Sequence, residues 1–142
     1  IISLQKNQLK MFGDKLGVSD IETPVFAVSC ETDHIASWED SFRGLHNFSS
    51  KEKTFVLSEA GHVAGIVNAP GRGKYGYYFG KEDFKNLENW KQRADFKKES
   101  WWPFWEKWLG GQSKDLVKAR MPGTLDDVDF GDAPGCYVHQ KS

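Results

Sequence analysis

VFAVSCETDH (residues 25–34) and KTFVLSEAGH (residues 53–62) decide the fold. Each opens on a short run of β-branched and aromatic residues that is apolar on both parities. Such a run reads as a strand buried on both faces, the habit of parallel sheets covered by helices. Thr23-Pro24 breaks the chain ahead of the first run. Between the two runs lies SWEDSFRGLHNF, where Trp38, Phe42 and Leu45 recur at spacings of four and three. Ser37 stands ready as N-cap and Gly44 weakens the far end, so a helix is expected there. The order strand, loop, helix, strand, loop is a βαβ unit with a right-handed crossover. The fold class is therefore α/β.

Open parallel sheets carry their functional loops at the carboxyl ends of the strands. Asp33 lies three residues beyond the first strand and His62 four beyond the second. Their separation of 29 residues is about what one helical crossover consumes, so adjacent strands would bring the two loops side by side. A carboxylate accepting the imidazole Nδ1 proton fixes the tautomer and leaves Nε2 as a base. General-base help of this kind is worth about 10²- to 10⁴-fold in rate. On spacing alone, a solvated loop Asp and an unrelated His are the equal alternative. Gly61 is read as giving the loop the backbone freedom to aim His62.

The 142 residues suit one domain or part of a larger one. With 19 Lys and Arg against 20 Asp and Glu, the chain lacks the basic excess of a nucleic-acid binder. Two cysteines, Cys30 and Cys136, do not make a disulfide framework, and a reducing compartment is the default. No stretch approaches the roughly 18 apolar residues of a membrane span. The opening IISLQKNQLK has neither the basic start nor the apolar run of a signal peptide.

Elsewhere the readings are more local. Residues 1–11 can be drawn as a short amphipathic helix closing at Gly13. SWWPFWEKWLG, residues 100–110, holds four of the six tryptophans. With Ser100 as N-cap and Pro103 in the first turn it makes a helix on which Trp101, Trp105 and Trp108 share a face. That face either docks on the core or is an interaction surface. GRGKYGYYFGKEDF, residues 71–84, is Gly- and Tyr-rich, carries Arg72 and Lys74, and would flank the cleft. His34 points away from its neighbour Asp33, and His46 and His139 read as surface residues. Cys30 and His34 lack a second pair of ligands, so no metal site is expected.

ETDHIASW around Asp33 and LSEAGHVAGIVNAP around His62, followed by SWWPFWEKWL and APGCYV, resemble the C-terminal catalytic portion of poly(3-hydroxyalkanoate) synthases of the class I type. The likeness runs from about Leu4 to Val138. It implies an α/β-hydrolase-like catalytic domain, of which residues 1–142 would be the C-terminal fragment: the last parallel strands of the sheet with flanking helices. Ser37 and Ala69 stand where the family usually has Pro, and the tail reads GDAPGCYV. These departures mark a divergent member without touching Asp33 or His62.

The resemblance implies a Cys-His-Asp triad in which this chain supplies Asp33 and His62. The nucleophilic Cys belongs to a G-x-C-x-G elbow that this chain does not contain. Cys30, at a strand end, reads as a buried thiol rather than a nucleophile. The implied reaction polymerises (R)-3-hydroxyacyl-CoA, 3-hydroxybutyryl-CoA above all, with release of CoA. No separate cofactor is expected, since CoA is part of the substrate and a product. The implied partners are the growing polyester, a second subunit in a homodimer and the polymer granule surface, in the cytoplasm. The isolated fragment is expected to be inactive. The alternatives are another α/β-hydrolase, a thioesterase or lipase with Ser at the elbow, and a truncated non-catalytic product that binds granules or a synthase subunit.

Overall fold

The computed structural model describes residues 9–80, 87–119, 132–135 and 137–140. The chain divides into two compact units, Ile1–Gln112 and Ser113–Ser142. The second contains a short 3₁₀ turn at Tyr137–His139. Cys136 lies outside the described residues, as do residues 1–8 of the expected first helix.

The first unit opens with a two-stranded hairpin, β1 (Leu9–Met11) against β2 (Asp14–Leu16). This corrects the helix expected up to Met11. Phe12 and Gly13, at φ 52° and 95°, both take the left-handed conformation that a two-residue hairpin turn requires. The Phe12-Gly13 turn sends the chain back on itself.

The main sheet has four strands, β3 (Val25–Cys30), β4 (Lys53–Ser58), β5 (Tyr77–Gly80) and β6 (Asp95–Lys97), in the order β3-β4-β5-β6. β3 and β4 are parallel, with Cys30 level with Ser58, as the βαβ reading requires. β5 and β6 run antiparallel to their neighbours, so the sheet is mixed where only parallel strands were expected. The reason lies in the connection through residues 59–76, which carries no crossover helix. It delivers Tyr77 opposite Ser58, at the end of β4 where it began, and the chain can only run back. β4 is buried almost throughout, whereas β3, at the margin of the sheet, is half-buried until Ser29.

Helices cover both faces. α1 (Trp38–Gly44) starts where Ser37 Oγ accepts the Asp40 N–H at 3.4 Å, and a 3₁₀ turn over Leu45–Asn47 follows it. α2 (Leu87–Arg93) lies on the same side. There Phe42, Leu45, Phe55, Leu57 and Trp90 form the core. The rings of Phe42, Phe55 and Trp90 meet at centroid distances of 5.0–5.3 Å. Contacts of this kind add about 0.5–1.5 kcal/mol each beyond the area they bury.

The opposite face, with Phe26, Thr54, Val56, Tyr77 and Phe79, takes α3 (Trp102–Gln112). Phe104 and Trp108 dock on Phe26 at 5.6 and 5.3 Å, and Phe104 reaches Phe79 at 4.9 Å. Ser100, buried, accepts the Trp102 N–H at 3.1 Å from one residue ahead of the N-cap position expected of it, because the helix starts only at Trp102. Trp105 does not join the docked face; it is 42% exposed. Phe104 and Trp108, four apart, form the docking row, while Trp101 precedes the helix and points elsewhere. No helix among the described residues is long and apolar enough to cross a membrane.

Candidate functional site

Asp33 and His62 leave the carboxyl ends of β3 and β4, and the parallel register carries on beyond the strands. Glu31 N–H donates to Ser58 O at 2.9 Å and Thr32 N–H to Ala60 O at 3.1 Å. Two loops laced together in this way have little freedom to separate. The residue that turns the second loop is Ala60, at φ 74°, rather than Gly61. At Gly61, which does not take a positive φ, a Cβ would make ordinary contacts with Thr32 O at 3.5 Å and Thr32 Oγ1 at 3.7 Å, so the backbone freedom expected there is not what the loop uses. An alanine held in the left-handed region costs about 1–2 kcal/mol, a strain carried by the lacing around it.

The side chains meet. His62 Nδ1 lies 2.7 Å from Asp33 Oδ2. Asp33 Oδ1 accepts two further N–H groups, from Ile35 at 2.8 Å and Ala36 at 3.0 Å, an Asx-type turn that fixes the carboxylate from below. The Ala36 N–H, then the His62 hydrogen bond, then the Ile35 N–H hold the Asp33 carboxyl down at about 2. An ionised carboxylate only accepts hydrogen bonds, so the proton of the contact resides on His62 Nδ1. That leaves Nε2 as the ring nitrogen able to take a proton. The Asp33 side chain is covered, 7% exposed, while that of His62 is 49% exposed. The acid is shielded and the base faces outward, the division of labour a base–orienter pair needs.

Around the pair stands an ionic layer that sequence reasoning did not identify. Lys91 on α2 bonds Glu31 and lies 4.9 Å over the Tyr78 ring. Lys98 Nζ pairs with Glu59 Oε2 at 2.7 Å, and the same oxygen accepts the Gly76 N–H at 2.6 Å. The Lys98 contact, then the Gly76 N–H, holds the Glu59 carboxyl below its ordinary range. These pairs tie α2 to the end of β3 and the junctions of β5 and β6 to the end of β4. The only sequence trace of them is one Glu directly after each of β3 and β4. Asn68, which is buried, closes the 68–75 loop by donating to Tyr75 O at 3.0 Å.

His34, His46, Arg72, Lys74 and His139 are exposed. Lys74 lies over the Tyr75 ring at 5.1 Å. A cleft of about 700 Å³ under α3 is lined by Thr54, Tyr77, Lys97, Phe104 and Trp108 among others; neither Asp33 nor His62 lines it.

The chain is 36% identical over 140 residues to the poly(3-hydroxyalkanoate) polymerase subunit PhaC of Rhizobium meliloti (strain 1021), covering 98% of this chain and 22% of that protein. To the poly(3-hydroxyalkanoate) polymerase of Methylorubrum extorquens it is 37% identical over 141 residues, 99% of this chain and 23% of the relative. It belongs to the poly(3-hydroxyalkanoate) polymerase family. The PhaC polymerase subunit of Cupriavidus necator is 28% identical over 138 residues, 95% of this chain and 23% of that protein. The chain thus spans less than a quarter of the length of the curated relatives it matches, at their C-terminal end. No family model matches it.

Membership of the polymerase family makes the state of Cys30 informative. The residue is 1% exposed. Burial, and then the nearby Asp33 charge, push its thiol pKa up. Its Sγ lies 4.0 Å from the His62 carbonyl oxygen. A protonated, enclosed thiol bonded to backbone is a structural group, not an activated nucleophile.

Proposed function

We propose that the chain is the C-terminal part of a polyhydroxyalkanoate synthase, in which Asp33 and His62 are the acid and base of a Cys-His-Asp triad. The cysteine is supplied by a part of the enzyme outside this chain. The observation that carries the reading is the 2.7 Å contact between His62 Nδ1 and a shielded, ionised Asp33 carboxylate. It is supported by relatives named poly(3-hydroxyalkanoate) polymerase across nearly the whole chain, which favours a synthase over a thioesterase or lipase. In this reading the fold is the closing segment of an α/β-hydrolase-like domain, with β3 and β4 among its parallel strands.

The chemistry follows from the pair. His62 Nε2 takes the proton of the synthase cysteine, whose thiolate attacks the thioester carbonyl of an (R)-3-hydroxyacyl-CoA such as 3-hydroxybutyryl-CoA. CoA leaves as the thiol, and the acyl group is held as a new thioester. The 3-hydroxyl of a second acyl group then gives up its proton to His62 and attacks that thioester, forming the ester bond and releasing the cysteine. Asp33 stabilises the imidazolium at each stage. The same reading has the full enzyme homodimeric, in the cytoplasm at the surface of its polyester granule, and this chain alone inactive.

The test uses the full-length enzyme. His62→Gln is expected to cut CoA release from 3-hydroxybutyryl-CoA by roughly 10²-fold or more, the scale of general-base catalysis. Near wild-type release would remove His62 from the mechanism. For Asp33→Asn, loss of both acylation and elongation is the expected pattern of an orienting carboxylate; acylation surviving while elongation stops would assign Asp33 to the hydroxyl directly.

A further inference from the structure

The two tryptophans at the start of α3 reach across 36 residues of sequence to the loop that carries His62. Trp101 Nε1–H donates to Gly65 O at 3.0 Å, and Trp102 Nε1–H donates to Ile66 O at 2.9 Å. The carbonyls are consecutive, and they belong to a single turn. Gly65 N–H donates to Gly61 O at 2.9 Å and Val67 N–H to Val63 O at 2.8 Å, so residues 61–67 form about one helical turn with His62 in its first step. The last carbonyls of such a turn have no partner within it and must find donors elsewhere. An indole N–H only donates, and here two of them meet that need side by side.

The underside of the turn is fixed as well. A Cβ built on Gly65 would lie 2.5 Å from Cys30 Sγ and 2.9 Å from Glu59 O, so the turn sits directly on the end of β3. Above it, the indoles come from a helix whose own position is set by Phe104 and Trp108 on Phe26 and by Ser100 at its start. Adjacent tryptophans point in different directions along a chain, which is why no single-face reading of the cluster accommodates both. Two separate N–H groups aimed at two successive carbonyls account for the pair.

We propose that Trp101 and Trp102 are positioning residues that clamp the 61–67 turn and thereby hold the His62 ring against Asp33. The inference rests on the reading of Asp33 and His62 as a working pair. The clamp acts through the backbone: both indoles hold carbonyls of the turn and limit the rotation that would carry Nδ1 away from Oδ2. α3 thus becomes part of the site without contributing a reacting atom.

The test reads the Asp33–His62 contact itself, in the intact protein. The Nδ1 proton shared with an ionised carboxylate gives a far-downfield proton NMR resonance, and amide exchange at Gly65 and Val67 reports the turn. Trp101→Phe and Trp102→Phe keep a ring and delete the donor. Each is expected to weaken the resonance and to speed exchange at Gly65 and Val67 by roughly fivefold, the worth of one ordinary hydrogen bond. The double variant is expected to lose the resonance while the sheet amides of β4 stay protected. An unchanged resonance and unchanged exchange in the folded double variant would overturn the proposal. Should the Phe variants fail to fold, β-(3-benzothienyl)alanine at 101 and 102 decides, because it replaces the N–H by sulfur at nearly constant shape: loss of the resonance supports the clamp, retention overturns it. A clamp verified in this way alongside normal turnover of His62→Gln would refute the polymerisation role and leave the positioning role intact.

Discussion

Gly65→Ala tests the packing on which the His62 turn depends. The added methyl would lie 2.5 Å from Cys30 Sγ, 3.2 Å from Cys30 Cβ and 2.9 Å from Glu59 O. The sulfur belongs to a buried side chain at a strand end, and the oxygen to backbone whose neighbouring N–H is bonded to Gly76 O at 2.9 Å. Neither can step aside without disturbing β3 or the junction of β4 with β5. Overpacking of this kind costs about 1–3 kcal/mol, and two close contacts on different groups place it in the upper half of that range. Alanine in place of glycine also restricts the unfolded chain, which returns about 0.4–1 kcal/mol. The net expectation is a loss of about 1–2 kcal/mol, measured by equilibrium urea unfolding. A double-mutant cycle isolates the cause. Cys30→Ala removes the 2.5 Å contact and leaves the one to Glu59 O, so the two substitutions together should cost about 1 kcal/mol less than their sum. Gly65→Ala within 0.5 kcal/mol of wild type, or strict additivity with Cys30→Ala, would refute the packing argument.

Two further expectations concern titration and burial. The Asp33 carboxyl is held at about 2 in the folded chain against an ordinary value of 3.8, so its contribution to stability is complete above the ordinary value and is lost as the pH falls through about 2. Asp33→Asn should flatten that part of the acid-unfolding curve, and an unchanged curve would show that the carboxylate is not stabilised by the folded site. Tyr77 is fully buried, its hydroxyl finds no hydrogen-bond partner among the described residues, and burial, then Glu99, pushes its pKa up to about 12. Tyr77→Phe removes an unsatisfied polar atom and should be neutral or stabilising by up to about 1–2 kcal/mol in thermal unfolding; a loss greater than about 1 kcal/mol would reveal a partner for the hydroxyl.

What the sequence disclosed followed the strength of its local pattern. VFAVSC and KTFVLS carry uninterrupted apolar runs, and Trp38, Phe42 and Leu45 keep helical spacing, so β3, α1 and β4 were legible with their order. The approach of Asp33 to His62 followed from that order and a parallel pairing. β5 was not legible, because its apolar part is three residues, Tyr77 to Phe79, between glycines and reads as loop. β6 is three exposed residues that are held in the sheet by pairing with β5 and by little of their own composition. α2 shows only Leu87 and Trp90 at a helical interval. The tryptophan segment is a docked helix, one of the two readings its sequence offers, but it docks through Phe104 and Trp108 rather than through Trp101, Trp105 and Trp108. Helical spacing ranks residues by angle, and it cannot tell that Trp101 falls before the first turn or that its N–H answers a carbonyl 36 residues away.

The level ends of β3 and β4 have a consequence for how this site tolerates change. Cys30 pairs with Ser58, and the lacing of Glu31 to Ser58 and Thr32 to Ala60 continues from there, so the distance between Asp33 and His62 is written in the ladder. Of the stretch that separates them along the chain, α1 and β4 pack in the core, and only the exposed turns between these elements enter as a tether. Lengthening such a tether at the surface costs little, about 0.6 kcal/mol for each doubling of a flexible loop. A one-residue slip in the ladder, by contrast, turns every side chain of a strand to the other face. Natural variation in the crossover should therefore be wide in length, and a chain cut there would keep the geometry of the pair as long as its two strands still found each other.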